Sequence, residues 1–232
     1  MYSENFENGP GGWLGWASND AGALRLPLHE GAVISRGPWW IDYNHAPPGG
    51  GYLHLLFVLH THQGAGFPEQ YKELGGPNRF VEGGYPRDLT KATVRARLRG
   101  SIIPHGARCR LLVQSKVRGK YVNVVFTGGE FAITPEWSWQ AITLEPDERL
   151  WTQLGSRSGR EATYGEAPIG DVLGDVNGDI IFVLYPLDVR PASALDSDPH
   201  FLRAEEEYAV DRGRLPHGEV MMDEIRIEWN KE

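Results

Sequence analysis

The chain has 232 residues, and its 23 lysines and arginines against 31 aspartates and glutamates give a formal charge of −8. That balance argues against phosphate-backbone binding as the main activity. The single cysteine, Cys109, excludes an internal disulfide and a cysteine-rich metal site.

No apolar run approaches the ~18 residues of a spanning helix, so neither nucleic-acid binding nor membrane insertion is expected. The opening MYSENFENG has no basic region followed by an apolar one. Either the protein is intracellular or a leader has been removed, and the compartment stays open. The counts of 29 glycines, 16 prolines and eight tryptophans suit a β-rich chain cut into short segments by turns.

In chain order, runs bounded by turn residues predict strands at Ala23–Leu28, Ala32–Ser35, Gly51–His62, Ala92–Gly100, Arg108–Val117, Lys120–Thr127, Trp137–Leu144, Asp179–Leu187 and Glu219–Trp229. Period-two alternation is clear in several. In GGGYLHLLFVLHTH it sends Leu53, Leu55, Phe57, Leu59 and Thr61 to one side, and Tyr52, His54, Leu56, Val58, His60 and His62 to the other. In KATVRARLRGS, Val94, Ala96 and Leu98 oppose Arg95, Arg97 and Arg99.

A short helix is expected within Pro199–Val210. Three connections are long, Gln63–Lys91, Glu145–Gly178 and Asp188–Gly218, and their aromatic and charged content favours ordered loops packed on a sandwich. With no repeat and no linker-like stretch, residues 1–232 are taken as a single domain.

Four segments, ENFENGPGGWLGW (Glu4–Trp16), RDLTKATVRARLRGS (Arg87–Ser101), ITPEWSWQAITL (Ile133–Leu144) and HGEVMMDEIRIEW (His217–Trp229), occur in an order that resembles carbohydrate-binding modules with a galactose-binding-like jelly roll. The resemblance implies an all-β fold, one β-sandwich of jelly-roll type with long decorated loops, and a glycan as ligand. It also implies a structural calcium between the first and last strands, with Glu7 and Asp223 at the matching carboxylate positions. Hard oxygen ligands from the two chain ends would pin them together; salt-bridged or solvated carboxylates are the alternative. Trp13 and Trp16, beside the Gly9–Gly12 turn, are expected to cap one end of the core rather than to stack on sugar.

Several groups of residues could carry chemistry. His60-Thr61-His62 puts two imidazoles on one side of a strand, close enough to share a metal. With Gly51 before it and Glu69 after, it is similar to the first cupin motif. Gly51 comes too early and Glu69 too late for that motif, and GGEFAITPEW (Gly128–Trp137) lacks the histidine a second motif needs.

His54 and Tyr52 sit mid-strand, and a shared face with Arg97, Arg99, Gln114, Lys116 and Asn123 would suit a glycan bearing carboxylates. The same set would suit a β-elimination lyase, in which an arginine neutralises the uronate while His54 or Tyr52 moves the proton. The arginines alone also fit a solvated strand face.

WWIDYNHAPPGGG (Trp39–Gly51) offers Trp39, Trp40, Tyr43 and His45 beside amide and carboxylate groups, which is the composition of a sugar site or of a small packed loop. DVNGD (Asp175–Asp179) begins like a calcium loop, but Ile180 and Pro186 occupy the positions that need Gly and Glu.

Non-catalytic glycan binding is therefore the leading expectation. The alternatives are a saccharide-active lyase or hydrolase using His54, Tyr52, His60 or His62, and a protein-interaction module. All place residues 52, 54, 60 and 62 together in a hollow beside Trp39–His45.

Overall fold

The computed structural model describes residues 1–18, 20–43, 51–63 and 68–230. Among these, two antiparallel sheets pack face to face as a β-sandwich. The strands are β1 (Tyr2–Glu4), β2 (Trp13–Ser18), β3 (Gly22–Leu24), β4 (Leu28–His29), β5 (Ala32–Arg36), β6 (Ile41–Asp42), β7 (Tyr52–His60), β8 (Thr93–Ile103), β9 (Arg108–Val117), β10 (Lys120–Phe126), β11 (Ser138–Thr143), β12 (Trp151–Gln153), β13 (Tyr164–Gly165), β14 (Asp179–Leu187) and β15 (His217–Glu228). The six-stranded sheet runs β11-β8-β15-β5-β4, with β1 on β15, so the two ends of the chain lie side by side. The nine-stranded sheet runs β12-β10-β9-β14-β7-β2-β3, with β13 on β10 and β6 on β7.

The alternating apolar residues close the space between the sheets. Val94, Ala96 and Leu98 of β8 face inward, and Arg95, Arg97 and Arg99 face away, as their spacing predicts. At the centre Phe182 packs on Trp13, Phe57 and Phe131, with ring centroids 6.0, 6.2 and 5.0 Å away. Trp13 is fully buried, its indole N–H donating to Tyr2 Oη at 3.0 Å.

One irregularity changes the face assignment. In β7, Phe57 pairs with Phe182 and Leu55 with Val183, so Leu56 is an extra residue, a β-bulge. Leu56 and Phe57 both enter the main core, whereas Leu53, Leu55 and Val58 join a second apolar cluster on the outer face. The uninterrupted alternation expected over Gly51–His62 is therefore corrected. Before the bulge Tyr52 and His54 point to the sandwich side, and after it His60 points outward.

The long connections are ordered where described. The first carries α1 (Glu69–Gly75) and α2 (Arg79–Glu82), and the second carries α3 (Ile169–Leu173). Helices of one or two turns are too short for a 3.6-residue pattern to announce them. The helix expected within Pro199–Val210 is reduced to a 3₁₀ turn at Pro199–Phe201, and Glu205 at φ +67° turns the chain aside.

Asn78 caps α2 by accepting from Val81 N at 3.1 Å, and its amide donates to His60 O at 2.8 Å, which ties this loop to the end of β7. Arg79 reaches back to pair with the buried Glu4 carboxylate and donates to Asn8 O at 2.8 Å. Gly11, at φ +62°, must be glycine, because a Cβ there would lie 1.9 Å from Glu4 Oε2. No helix among the described residues is long and apolar enough to cross a membrane.

Phe182→Ala should cost about 3–5 kcal/mol of unfolding free energy in urea denaturation. A loss below about 1 kcal/mol would mean that these rings do not form the packed centre.

Candidate functional site

The bulge separates the histidines that the sequence pattern groups together. On the outer face of the nine-stranded sheet, Asn123 of β10, Gln114 of β9, Asp179 of β14 and His60 of β7 stand in one cross-strand row, each in register with the next. At the usual strand spacing the row spans roughly 14 Å. His60 Nδ1 is hydrogen-bonded to Asp179 Oδ1, and Gln114 Nε2 donates to Asn123 Oδ1 at 2.8 Å. Asn123 is fully buried, and its Nδ2 has no partner among the described residues.

Aromatic rings close the β7 end of the row. Tyr71, carried by α1, lies parallel to His60 with centroids 5.1 Å apart. Trp16 of β2 stands edge-on to Tyr71 and His60 at 5.7 and 6.3 Å. The Trp16 indole N–H is likewise buried without an acceptor among the described residues. Burial raises the Tyr71 hydroxyl pKa, and the nearby Asp179 charge adds to the rise. Beyond the row the same face continues as an apolar floor of Val58, Leu112, Val125, Leu154 and Ile181. The face thus combines flat apolar rings, amide donors, a carboxylate acceptor and an imidazole.

Trp39, Trp40 and His54 form a separate group. His54 is 1% exposed, and its Nδ1 lies 2.9 Å from Trp40 O. Since a carbonyl only accepts, that nitrogen carries the proton. The Trp39 ring is 5.8 Å from the imidazole, and its N–H donates to Ser35 Oγ at 2.9 Å. Burial pushes the His54 pKa from 6.5 down to about 4; the Trp40 carbonyl works against the fall and Arg212 adds to it.

Trp39 also walls a cleft of about 370 Å³ with Trp16, Trp40 and Leu55. Tyr43 is buried, donates to Glu206 and lies under the Arg157 guanidinium, so it fastens the loop before β15. The buried hydroxyls of Tyr52 and Tyr208 meet at 3.5 Å, and burial raises the Tyr52 pKa. His45 lies outside the described residues.

The expected convergence of residues 52, 54, 60 and 62 is therefore corrected. Tyr52 and His54 lie on one side of the sheet and His60 on the other, while His62 is exposed beyond the strand end. The grouping of His54 with Arg97 and Arg99 is also corrected, because those arginines belong to the other sheet. Arg97 pairs with Asp223 at 2.7 Å, and both guanidinium groups lie over Trp137, at 5.4 and 4.7 Å. Gln114 and Asn123 share a face with His60 instead.

Glu7 and Asp223 do line one cleft of about 600 Å³, and Asp223 Oδ1 is buried without a partner among the described residues. However, Arg97 occupies Oδ2, and its charge opposes a second cation. Among the described residues no group of three or more His, Cys, Asp or Glu is placed to hold a metal.

Tyr71 and Asp179 escape a reading of the sequence, and Trp16 is taken there for core. Tyr71 sits on a helix too short to see, and Asp179 closes the DVNGD turn, where Asn177 accepts from Lys116 N at 2.7 Å and so joins the turn to β9. Compared with family models, curated proteins and solved structures, the chain matches none.

The buried His54 makes stability depend on pH. Between 6.5 and about 4 the unfolded chain binds a proton that the folded one refuses, so stability falls as pH falls through that window. Above it the effect is absent, and below it the deficit is constant. Urea unfolding of the wild type should therefore lose on the order of 2–3 kcal/mol more than His54→Gln between pH 7 and 4.5. A gap independent of pH would contradict a neutral buried imidazole.

Proposed function

We propose that the protein binds a saccharide over the outer face of the nine-stranded sheet, along the row from Asn123 to His60. The observation that carries this reading is the row itself, together with two buried N–H donors, on Asn123 and Trp16, that have no acceptor among the described residues. A buried amide or indole N–H without an acceptor costs about 1–3 kcal/mol. A sandwich shaped for stability alone has no reason to line up an amide pair, a carboxylate and an imidazole across four strands.

Sugar hydroxyls both donate and accept. They can satisfy Asn123 Nδ2 and the Trp16 indole while donating to Asp179. The C–H faces of a sugar ring suit the Tyr71 and Trp16 planes and the apolar floor. The net charge of −8 makes a nucleic acid a poor alternative ligand. The resemblance to galactose-binding-like carbohydrate-binding modules points the same way, and the two-sheet sandwich is compatible with it.

A second reading, a saccharide-active enzyme, is favoured by one feature. A carboxylate on Nδ1 fixes the tautomer and orientation of an imidazole, and that is how a histidine is prepared for general acid or base work.

Calorimetric titration with neutral and uronate oligosaccharides tests the first reading. Trp16→Ala and Asn123→Ala should each weaken binding about tenfold, roughly 1.4 kcal/mol, with an unchanged circular dichroism spectrum. Absence of binding by the wild type, or equal binding by both variants, would sink it. The enzyme reading requires in addition that new reducing ends or unsaturated uronates accumulate, and that His60→Ala abolishes this while still binding.

A further inference from the structure

The cavity beside His54 lies on the other side of the sheet from the row just described, and it makes its own chemical demand. It measures about 310 Å³ and is walled by Pro38, Trp39, His54, Arg212, Leu215 and His217. His54 reaches it from β7, where the register with Leu184 and Ile41 turns the imidazole toward the sandwich side. Its Nδ1 proton is committed to Trp40 O, and its Nε2 is buried with no partner among the described residues. The ring is neutral in the physiological range, so Nε2 presents a bare lone pair. A buried bare lone pair seeks an O–H or N–H donor.

Three features narrow the donor. Arg212, on the same wall, disfavours a metal ion or an ammonium group; its Nη2 donates to Glu205 Oε2 at 2.6 Å. The volume far exceeds the ~30 Å³ that one water takes in the liquid, so a single bridging water does not fill the space. The Trp39 indole, held by Ser35, gives a rigid flat wall, and Leu215, Pro38 and Pro216 complete an apolar lining. A flat apolar wall opposite one acceptor suits a ring with C–H faces and a hydroxyl edge.

We infer that this cavity is a second binding site, for a single hydroxyl-bearing ring of monosaccharide size whose hydroxyl donates to His54 Nε2. The occupant is a free monosaccharide or the end unit of a longer chain, and these present the same chemistry to the cavity. The site rests on observations independent of the outer-face row.

The test reads His54 directly. Long-range ¹H–¹⁵N spectra of the full chain are recorded during titration with glucose, galactose, mannose, glucuronate and galacturonate, and with oligomers capped at either end. At least one sugar should shift the His54 Nε2 resonance saturably. His54→Phe should weaken that sugar's binding at least tenfold by calorimetry. His217→Trp, which adds bulk at an exposed residue of the lining, should weaken it too and decides the matter if His54→Phe fails to fold. Capping identifies the source: a free sugar alone binding means a monosaccharide site, and binding of one capped series means a chain-end site.

No shift with any sugar, or undiminished binding by His217→Trp, would overturn the proposal and leave the cavity to water. The signal arises at His54 itself, so its failure leaves the outer-face reading standing. Conversely, unimpaired oligosaccharide binding by Trp16→Ala would sink the outer-face reading and leave this one.

Discussion

The arrangement of this molecule depends on one extra residue in β7. Leu56 has no opposite number on β14, and the strand absorbs it by sending two consecutive side chains, Leu56 and Phe57, into the same core. Every residue before the bulge thereby changes face relative to every residue after it. The main core gains Tyr52 and Leu56, the outer face gains Leu53 and Leu55, and two histidines six positions apart come to serve opposite sides of a sheet. Without the bulge His54 and His60 would share one surface, and the cavity at Trp39 would lose its only imidazole from this strand.

The two sides have different chemical characters. The outer face is long, crosses four strands and mixes donors with acceptors, which suits a chain of repeated units lying across the strands. The cavity at His54 is small and mostly apolar, with one buried unpartnered acceptor among the described residues, so it suits one compact ring. Trp39 borders the cavity and also the cleft that Trp16 and Trp40 share, so one indole separates the two regions. Its hydrogen bond to Ser35 keeps that partition from swinging into either space.

Most of the sandwich was legible in the sequence. The bounds of Arg108–Val117 and Asp179–Leu187 coincide with β9 and β14, and the alternation in KATVRARLRGS assigns both faces of β8 correctly, because a strand buried on one side must alternate. Three of the strands that the sequence does not announce, β1, β6 and β13, have two or three residues and are defined only by their partners, whereas the six-residue β2 lies where tryptophans beside a glycine turn read as a cap on the core. The candidate site was harder. A bulge leaves no mark in a run as uniformly apolar as Leu55–Leu59, so the face of each histidine could not be counted from sequence. The spacing puts Gln114 and Asn123 with His54 rather than His60, and a tryptophan beside a glycine turn, such as Trp16, reads as core because it is so often that. Tyr71 and Asp179 acquire meaning only when α1 and the turn before β14 fold against β7.

The Glu4–Arg79 pair ties two distant parts of the chain together. A carboxylate stripped of water is costly until its counter-charge arrives, and here the counter-charge belongs to a helix some seventy-five residues along the chain. The seating of β1 on β15 and the docking of that helix are therefore coupled through one ion pair. The same docking sets Asn78 against the end of β7 and steadies the loop that presents Tyr71. Losing β1 would thus do more than fray an edge: it would unfasten one wall of the surface at the other end of that loop.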